Sequence, residues 1–329
     1  EISKIYQDIE KYRGKYKAGY DAIAEARFQR QLDMGLIDDS YQYSAPTRRH
    51  WGELSDAQRD DQDLRMAVYA AMIDNMDQNI GRLLAKLKAL GQAENTLIFF
   101  ASDNGSNPAM VDAGEGEIGS VDRWTSLGVD WANVSNTPLR YYKNYSFQGG
   151  ISTPLIAHWP VGVKQPGAVS DFVGHFIDFM PTLLELSGAT YPKNFHDEVI
   201  YPYTGVSLLP VIQTAEDVAR GLVVVERNKP IFWQWGLDKA VRDGRWKLVA
   251  SDRFGVPNRG EWQLYDMSVD KSEMKNLAKS HPDIVNDMAA DYEQWWQQLP
   301  EDHEGGAMGF ITRIALWFFM QFESHLPEE

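Results

Sequence analysis

The sequence of 329 residues contains no cysteine. This absence excludes disulfide bridges, thiolate metal sites and a cysteine nucleophile within these residues. Basic side chains are also scarce, because 32 Lys and Arg residues stand against 47 Asp and Glu residues, for a formal net charge of −15. A nucleic-acid-binding protein needs a basic face, so we do not expect nucleic acid as a partner.

Long apolar runs are missing as well. No stretch reaches the roughly 18 apolar residues that a transmembrane helix requires, and no internal repeat is visible. Residues 310–322 are almost wholly apolar, but this segment is short and is interrupted by Arg313. Docking on the domain, a position on a membrane surface and an unstructured extension all remain open for the tail 301–329. Because the sequence begins at Glu1 and shows no signal peptide, we expect a processed protein or a piece of a longer one.

The pattern up to about residue 205 predicts an α/β domain. Apolar residues recur at helical spacing over residues 64–90, and Gly91 follows where a left-handed helix stop is favoured. Residues 95–105 then contain a short apolar run that is typical of a buried parallel strand. A second buried strand is predicted within residues 151–159. The intervening residues 106–138 are predicted to be a long loop, in which Trp124 and Trp131 could line a substrate pocket.

Residues 206–300 predict a second, smaller subdomain. The segment 239–249 has the pattern of a β-hairpin with Asp243-Gly244 at its turn, and residues 261–266 supply a further strand. A closing helix is predicted to run from Pro282 to about Leu299. The sequence therefore predicts three parts: an α/β domain over residues 1–205, an antiparallel subdomain over residues 206–300, and the tail 301–329.

Two segments carry residues that are suited to chemistry. Asp103 and Asn104 follow the predicted strand at its carboxyl end, where ligands bind in open α/β sheets. A carboxylate beside an amide oxygen suits a hard cation such as Ca²⁺ or Mg²⁺, although Asn104-Gly105 is also a common turn signal. Lys143 precedes Gly149-Gly150 and could hold an anion as a point charge. An ordinary solvated lysine remains the alternative at that position.

These segments and several others, in this order, resemble the type I sulfatase family, the arylsulfatase-like branch of the alkaline phosphatase superfamily. The resemblance covers roughly residues 10–300 and depends on the ordered set, since each motif alone is weak. The matching stretches are residues 69–77, 95–105, 135–138, 143–160, 178–185, 205–210, 243–248 and 264–266. The resemblance implies a truncated alkaline phosphatase-like α/β sandwich with a small C-terminal antiparallel sheet-plus-helix subdomain.

The resemblance also implies an activity, the metal-assisted hydrolysis of a sulfuric ester. Asp103 and Asn104 match the family's metal-ligating pair, which commonly holds Ca²⁺. Lys143 matches a catalytic lysine that contacts the substrate sulfate, and Gln148 stands where the family usually has Glu. A fixed cation and a lysine would stabilise the charge that develops on the sulfonate and leaving oxygens. The substrate would be a small-molecule or glycan sulfate ester, and the implied compartment is the periplasm or the cell exterior.

Three alternatives remain open at this point. One is a phosphoester or phosphonate hydrolase of the same superfamily, which shares the Asp-Asn pair. Another is a non-catalytic relative that binds sulfated glycans. The third is an incomplete gene product with no function of its own.

The family's nucleophile is a formylglycine made from the first residue of a Cys/Ser-x-Pro-x-Arg motif, which precedes all of the matched stretches. The sequence therefore resembles the C-terminal portion of a sulfatase, and we expect the 329 residues by themselves to be inactive. Residues 44–48, Ser-Ala-Pro-Thr-Arg, fit the five-residue pattern. However, Ser44 lies only 59 residues before Asp103 and does not follow a strand that ends in paired Asp residues. We interpret residues 44–48 as a proline-containing loop.

Overall fold

The computed structural model describes residues 2–44 and 47–299, apart from 216, 218, 219, 221, 222, 224, 226, 228, 237 and 254. The predicted tail 301–329, with its apolar segment 310–322, lies outside the described residues. Within the described part, none of the helices is both long enough and apolar enough to cross a membrane.

Helices and short strands alternate along the chain. The helices are α1 (Ile2–Tyr12), α2 (Tyr20–Asp33), α3 (Asp56–Ala89), α4 (Gly128–Ser135), α5 (Gln148–Ile151), α6 (Phe179–Ser187), α7 (Leu209–Gln213) and α8 (Pro282–Gln297). The strands are β1 (Ile98–Ala101), β2 (Asp112–Gly114), β3 (Arg123–Thr125), β4 (Leu155–His158), β5 (Asn194–Phe195), β6 (Glu198–Val199), β7 (Ile231–Trp235), β8 (Asp238–Asp243), β9 (Trp246–Ser251) and β10 (Gln263–Asp266). The long helix predicted over residues 64–90 is confirmed as α3, and Gly91 has the left-handed φ of 69° that a helix stop favours.

The chain divides into two compact units. The first combines residues up to 71, residues 103–153 and the described residues from 230 onward, and the second combines residues 72–102 and 154–229. All of the candidate site residues, including Asp103, Asn104 and Lys143, belong to the first unit. The boundary predicted between residues 205 and 206 stays a prediction.

The C-terminal part of the first unit is a four-stranded antiparallel sheet with strand order β10-β9-β8-β7. Helix α8 packs on it through an apolar layer formed by Val241, Leu248, Leu264, Met288 and Tyr292. The predicted hairpin is confirmed as β8 and β9, where Asp243 pairs with Trp246. Gly244 and Arg245 therefore form the turn, and Gly244 has a φ of 51° that favours glycine. This sheet and helix confirm the small antiparallel subdomain that the sequence predicts.

The helical part of the first unit has an aromatic core. Trp131, on α4, is fully buried and meets the ring of Tyr20 at a centroid distance of 4.7 Å. Its indole N–H donates a hydrogen bond of 3.1 Å to the Gln62 carbonyl oxygen. The prediction of one long loop over residues 106–138 is wrong, since this segment forms β2, β3 and α4. Trp131 is a core residue and does not line a pocket, whereas Trp124 on β3 is 70% exposed.

Strands β1 and β4 confirm the two strands predicted in the α/β part, but their arrangement differs from the prediction. They pair with each other in antiparallel fashion, with Ile98 opposite His158, and the described residues add no third strand to this sheet. Phe100 is 41% exposed and Ile156 is 58% exposed. The expectation of buried parallel strands is therefore wrong here, because an apolar run predicts a strand but not the direction or coverage of its partner.

Replacing Trp131 with Ala should destabilise the chain, because a fully buried indole loses its packing and its hydrogen bond. We expect the free energy of unfolding to fall by about 3–5 kcal/mol, measured by urea denaturation of the 329-residue chain. Trp124→Ala is the matched control, and its exposed ring predicts a change within about 0.5 kcal/mol. Equal losses in the two variants would contradict the burial of Trp131.

Candidate functional site

The two segments that carry the candidate residues meet directly. The backbone N–H of Gly105 donates a hydrogen bond of 2.9 Å to the carbonyl oxygen of Gly150. The backbone N–H of Lys143 donates a hydrogen bond of 3.0 Å to the carbonyl oxygen of Ser106. The structure thus joins the loop that begins at Asp103 to the loop that carries Lys143, although 40 residues separate these two positions.

Glycine is required where these backbones touch. A Cβ atom added to Gly105 would lie 1.7 Å from the carbonyl oxygen of Gly149. A Cβ on Gly149 would lie 2.2 Å from the carbonyl oxygen of Tyr141, and one on Gly150 would lie 1.9 Å from that of Tyr145. These distances are far below van der Waals contact. Gly105 therefore allows the close approach of the two loops, and Gly149 and Gly150 allow the tight fold of the loop that carries Lys143.

The side chain of Asn136, directly after α4, links the two loops. Its Oδ1 accepts a hydrogen bond of 3.1 Å from the N–H of Ser106. Its Nδ2 donates to the carbonyl oxygens of Tyr141, at 3.0 Å, and Gly149, at 2.7 Å. Sequence reasoning included Asn136 only as a member of a matching stretch and assigned it no role. Its partners are all backbone atoms, so no pattern of side chains along the sequence indicates this function.

The residues that flank Lys143 have unusual backbone conformations. Tyr141 has a φ of 60° and Asn144 a φ of 81°. Left-handed conformations of residues other than glycine cost on the order of 1–3 kcal/mol each and are concentrated at functional sites. The Asn144 carbonyl oxygen accepts a hydrogen bond of 2.8 Å from Nη2 of Arg253, so the surrounding structure stabilises this conformation.

The same loop rests on the C-terminal sheet. Nη1 of Arg140 donates hydrogen bonds to the hydroxyl of Tyr265, at 3.1 Å, and to the carbonyl oxygen of Glu273, at 2.6 Å. Its guanidinium also lies 4.9 Å from the centroid of the Phe147 ring. The loop that carries Lys143 is consequently fixed on one side by the Gly105 segment and on the other by the sheet.

Lys247 is the most deeply buried basic side chain beside this loop. Burial lowers the pKa of Lys247 to about 8, and the neighbouring Glu273 carboxylate opposes this shift. Arg242 and Arg140 lower the pKa further by like-charge repulsion. Nζ of Lys247 lies 2.5 Å from Oε1 of Glu273, so the two side chains form a buried ion pair.

Asp103 and Asn104 carry the carboxylate and amide oxygens that a hard cation prefers as ligands. Asp103 is exposed and Asn104 is partly exposed. Ca²⁺ takes about six to eight oxygen ligands. In the part of the chain that the structure describes, no group of three or more His, Asp and Glu side chains could hold a metal ion. The two residues therefore fit such an ion by chemical type, but they supply only part of a complete ligand set.

Residues 41–44 and residue 47 form neither helix nor strand. This is what we expect if Ser44 belongs to a loop. Ser44 is buried, and its hydroxyl lies 3.4 Å from the carbonyl oxygen of Leu139, to which it donates. Arg48 is held by the Oδ1 of Asn133 at 2.6 Å and by the carboxylate of Asp21 at 2.6 Å. These contacts give both residues a structural role.

Comparison with known proteins assigns the family. A family model described as Sulfatase matches residues 6–189, which is more than half of the chain. The chain belongs to the sulfatase family. A second family model, described as N-sulphoglucosamine sulphohydrolase, C-terminal, matches residues 139–298 of the chain.

Curated relatives agree with this assignment. The chain is 31% identical over 309 residues to an uncharacterized sulfatase of Schizosaccharomyces pombe, a match that covers 85% of this chain and 52% of the relative. It is 34% identical over 215 residues to an arylsulfatase of Klebsiella aerogenes, with 61% of this chain and 46% of the relative covered. The chain thus spans about half the length of these curated relatives.

The fold of the chain is supported by a solved structure. The crystal structure of Ps i-CgsB matches with a TM-score of 0.55 and 21% sequence identity, and the match covers 94% of this chain and 60% of that one. At this identity the match concerns the fold alone. Together with the C-terminal antiparallel sheet, it confirms the predicted alkaline phosphatase-like architecture.

Gly105→Ala should separate the two loops, because its Cβ cannot coexist with the Gly149 carbonyl oxygen. We expect a loss of about 1–3 kcal/mol in the free energy of unfolding, as for other overpacked sites, measured by urea denaturation. Gly81→Ala in the middle of α3 is the control. Since no atom lies within 4 Å of its added Cβ, this substitution should stabilise the chain by up to about 1 kcal/mol. A neutral effect of Gly105→Ala would show that the contact is not tight.

Proposed function

We propose that this chain carries the sulfate-binding part of a sulfuric ester hydrolase. In this proposal Lys143 contacts the substrate sulfate, and Asp103 with Asn104 contributes ligands to a divalent cation, most simply Ca²⁺. The observation that carries the proposal is the direct junction of the two loops through Gly105 and Ser106, in a chain that belongs to the sulfatase family. This junction holds the backbone of Lys143 beside the segment that follows Asp103 and Asn104, which supports a shared site.

The residues suit the chemistry of sulfate ester cleavage. Negative charge develops on the sulfonate oxygens and on the leaving oxygen, and fixed positive groups stabilise it without reorganisation. The ammonium group of Lys143 supplies one such charge, and its backbone is held by Ser106. A divalent cation bound with the help of Asp103 would supply further positive charge to the sulfate oxygens.

The proposed substrates are small-molecule or glycan sulfate esters. The similarity to an arylsulfatase supports an aryl ester as a practical probe. The match to the C-terminal model of N-sulphoglucosamine sulphohydrolase supports a sulfated sugar as the natural class of substrate. The net charge of −15 gives the chain an overall negative field, which repels anions. A sulfate ester would therefore be attracted by local positive groups.

Lys143→Ala should weaken the binding of inorganic sulfate to the chain at least about tenfold, because a charge-assisted contact contributes about 1.5–3 kcal/mol. Titration calorimetry in the presence of Ca²⁺ measures this affinity. Lys88→Ala, which removes an exposed lysine from α3 in the other unit, is the matched control and should leave the affinity unchanged. Equal sulfate affinity in the wild-type chain and Lys143→Ala would overturn the role of Lys143.

The same titration tests the cation and the anion class. A chelator should weaken sulfate binding if Asp103 and Asn104 hold a divalent ion, and Asp103→Ala should make the chain insensitive to that chelator. Repeating the titration with inorganic phosphate separates the alternatives, since tighter binding of phosphate than of sulfate would favour a phosphoester or phosphonate hydrolase.

The 329 residues by themselves should not hydrolyse nitrophenyl sulfate, because they contain no cysteine and the hydroxyl of Ser44 is buried. Release of nitrophenol measured by absorbance tests this expectation. Hydrolysis that disappears in Lys143→Ala would contradict it. In that case Ser44→Ala identifies the nucleophile, and a complete loss of activity with an intact fold would overturn the loop interpretation of residues 44–48.

A further inference from the structure

We propose that Lys247 and Glu273 are positioning residues of the candidate site. Their buried ion pair holds Gln148, and through it the loop of residues 141–150, in the conformation that presents Lys143. The part of this inference that concerns sulfate rests on the proposed function, whereas the ordering of the loop can be measured without it.

The three side chains form a closed set of contacts. Nζ of Lys247 lies 2.5 Å from Oε1 of Glu273 and donates a hydrogen bond of 3.0 Å to Oε1 of Gln148. The other carboxylate oxygen of Glu273 accepts a hydrogen bond of 2.7 Å from the backbone N–H of Gln148. The Lys247 side chain is 1% exposed and that of Glu273 is 0% exposed. Gln148 is thus held at its side chain by one member of the pair and at its backbone by the other.

The position of Gln148 in the chain makes this contact relevant to the site. It is the first residue of α5, directly before the two glycines that meet the Asp103 loop. The Gly149 carbonyl oxygen accepts from Asn136, and the Gly150 carbonyl oxygen accepts from the N–H of Gly105. A shift of Gln148 would therefore be transmitted to the Asp103 loop through adjacent peptide groups.

Gln148 contributes a neutral amide to this buried set. Lys247 and Glu273 carry opposite charges, and the guanidinium groups of Arg140 and Arg242 also act on Lys247. Removing one member of a buried pair is strongly destabilising, because it leaves the other charge buried without compensation. Neutralising both members avoids that cost, and this difference provides the test.

The conformation of Glu273 gives independent support. Its φ of 58° is left-handed, which is uncommon for a residue with a side chain and is maintained only where the surroundings determine it. Its carbonyl oxygen accepts from Nη1 of Arg140, at the start of the same loop. Glu273 therefore contacts the loop at both ends, through Arg140 and through Gln148.

Amide hydrogen exchange on the 329-residue chain tests the positioning role. The readouts are the backbone amides of Gly105, Lys143 and Gly149, each of which donates a hydrogen bond within the site. In Lys247→Met we expect their exchange to accelerate at least about tenfold, because the loop opens locally without global unfolding. Exchange in the centre of α3 should stay unchanged. A purely structural pair would instead change all protected amides together.

A double variant supplies the rescue. In Lys247→Met/Glu273→Gln, the new amide at position 273 can accept from the Gln148 N–H and donate to its Oε1, and neither member of the Lys247–Glu273 pair remains as a charge without its partner. We expect exchange at the three amides to return to within about threefold of the wild-type rates, since contacting residues couple strongly. The control is Arg49→Met, which removes the partner of Asp130 in the same unit. It should leave the three amides unchanged.

Sulfate affinity measured on the same proteins adds the functional readout. It should fall in Lys247→Met, recover in the double variant and remain unchanged in Arg49→Met. If Lys247→Met does not fold, Gln148→Ala tests the same connection with the ion pair intact and should also accelerate the three amides. Unchanged exchange in a folded Lys247→Met or Gln148→Ala variant, or a lack of rescue, would overturn the inference. If the wild-type chain binds no sulfate, the proposed function fails, and the exchange rates still decide the positioning role.

Discussion

The close backbone contact between Gly105 and the Gly149–Gly150 pair is the constraint on which the candidate site depends. It leaves no room for a Cβ atom on Gly105, and carbonyl oxygens of the Lys143 loop leave none on Gly149 or Gly150. Asn136 completes the contact by bonding backbone atoms of both loops. The Lys143 backbone is therefore held beside the Asp103 loop by main-chain hydrogen bonds and by the Asn136 side chain.

The C-terminal sheet provides the second support, and this gives the small subdomain a reason to be part of the same compact unit. Its strands and the turn after them contribute Lys247, Glu273, Tyr265 and Arg253, which all bond the loop of residues 140–150. Several of these contacts involve buried charges, which are weak contributors to net stability but strongly directional. These hydrogen bonds fix the orientation of the loop on the sheet. Apolar packing against α8 stabilises the sheet itself.

Local features were predictable where a short stretch of sequence determines the structure. The apolar periodicity of α3, the stop at Gly91 and the hairpin with Gly244 in its turn all follow from neighbouring residues. The predictions that were wrong concern distant partners. The apolar run at residues 98–101 indicated a strand, but its antiparallel pairing with β4 depends on a segment more than 50 residues away. In the same way, the burial of Trp131 depends on the distant rings of Tyr16, Tyr20 and Trp51.

The sequence by itself determined the family of the chain, the absence of cysteine from these 329 residues and the candidate residues Asp103, Asn104 and Lys143, because each of these depends on residue identity and order. Only the tertiary structure decided how those residues are held. The role of Asn136 depends on backbone atoms that carry no signature in the sequence. The bonds of Gln148 to Lys247 and Glu273 join positions 99 and 125 residues apart. Such contacts exist only after the sheet and the loop have packed together, since hydrogen bonds act over about 3 Å and not along the chain.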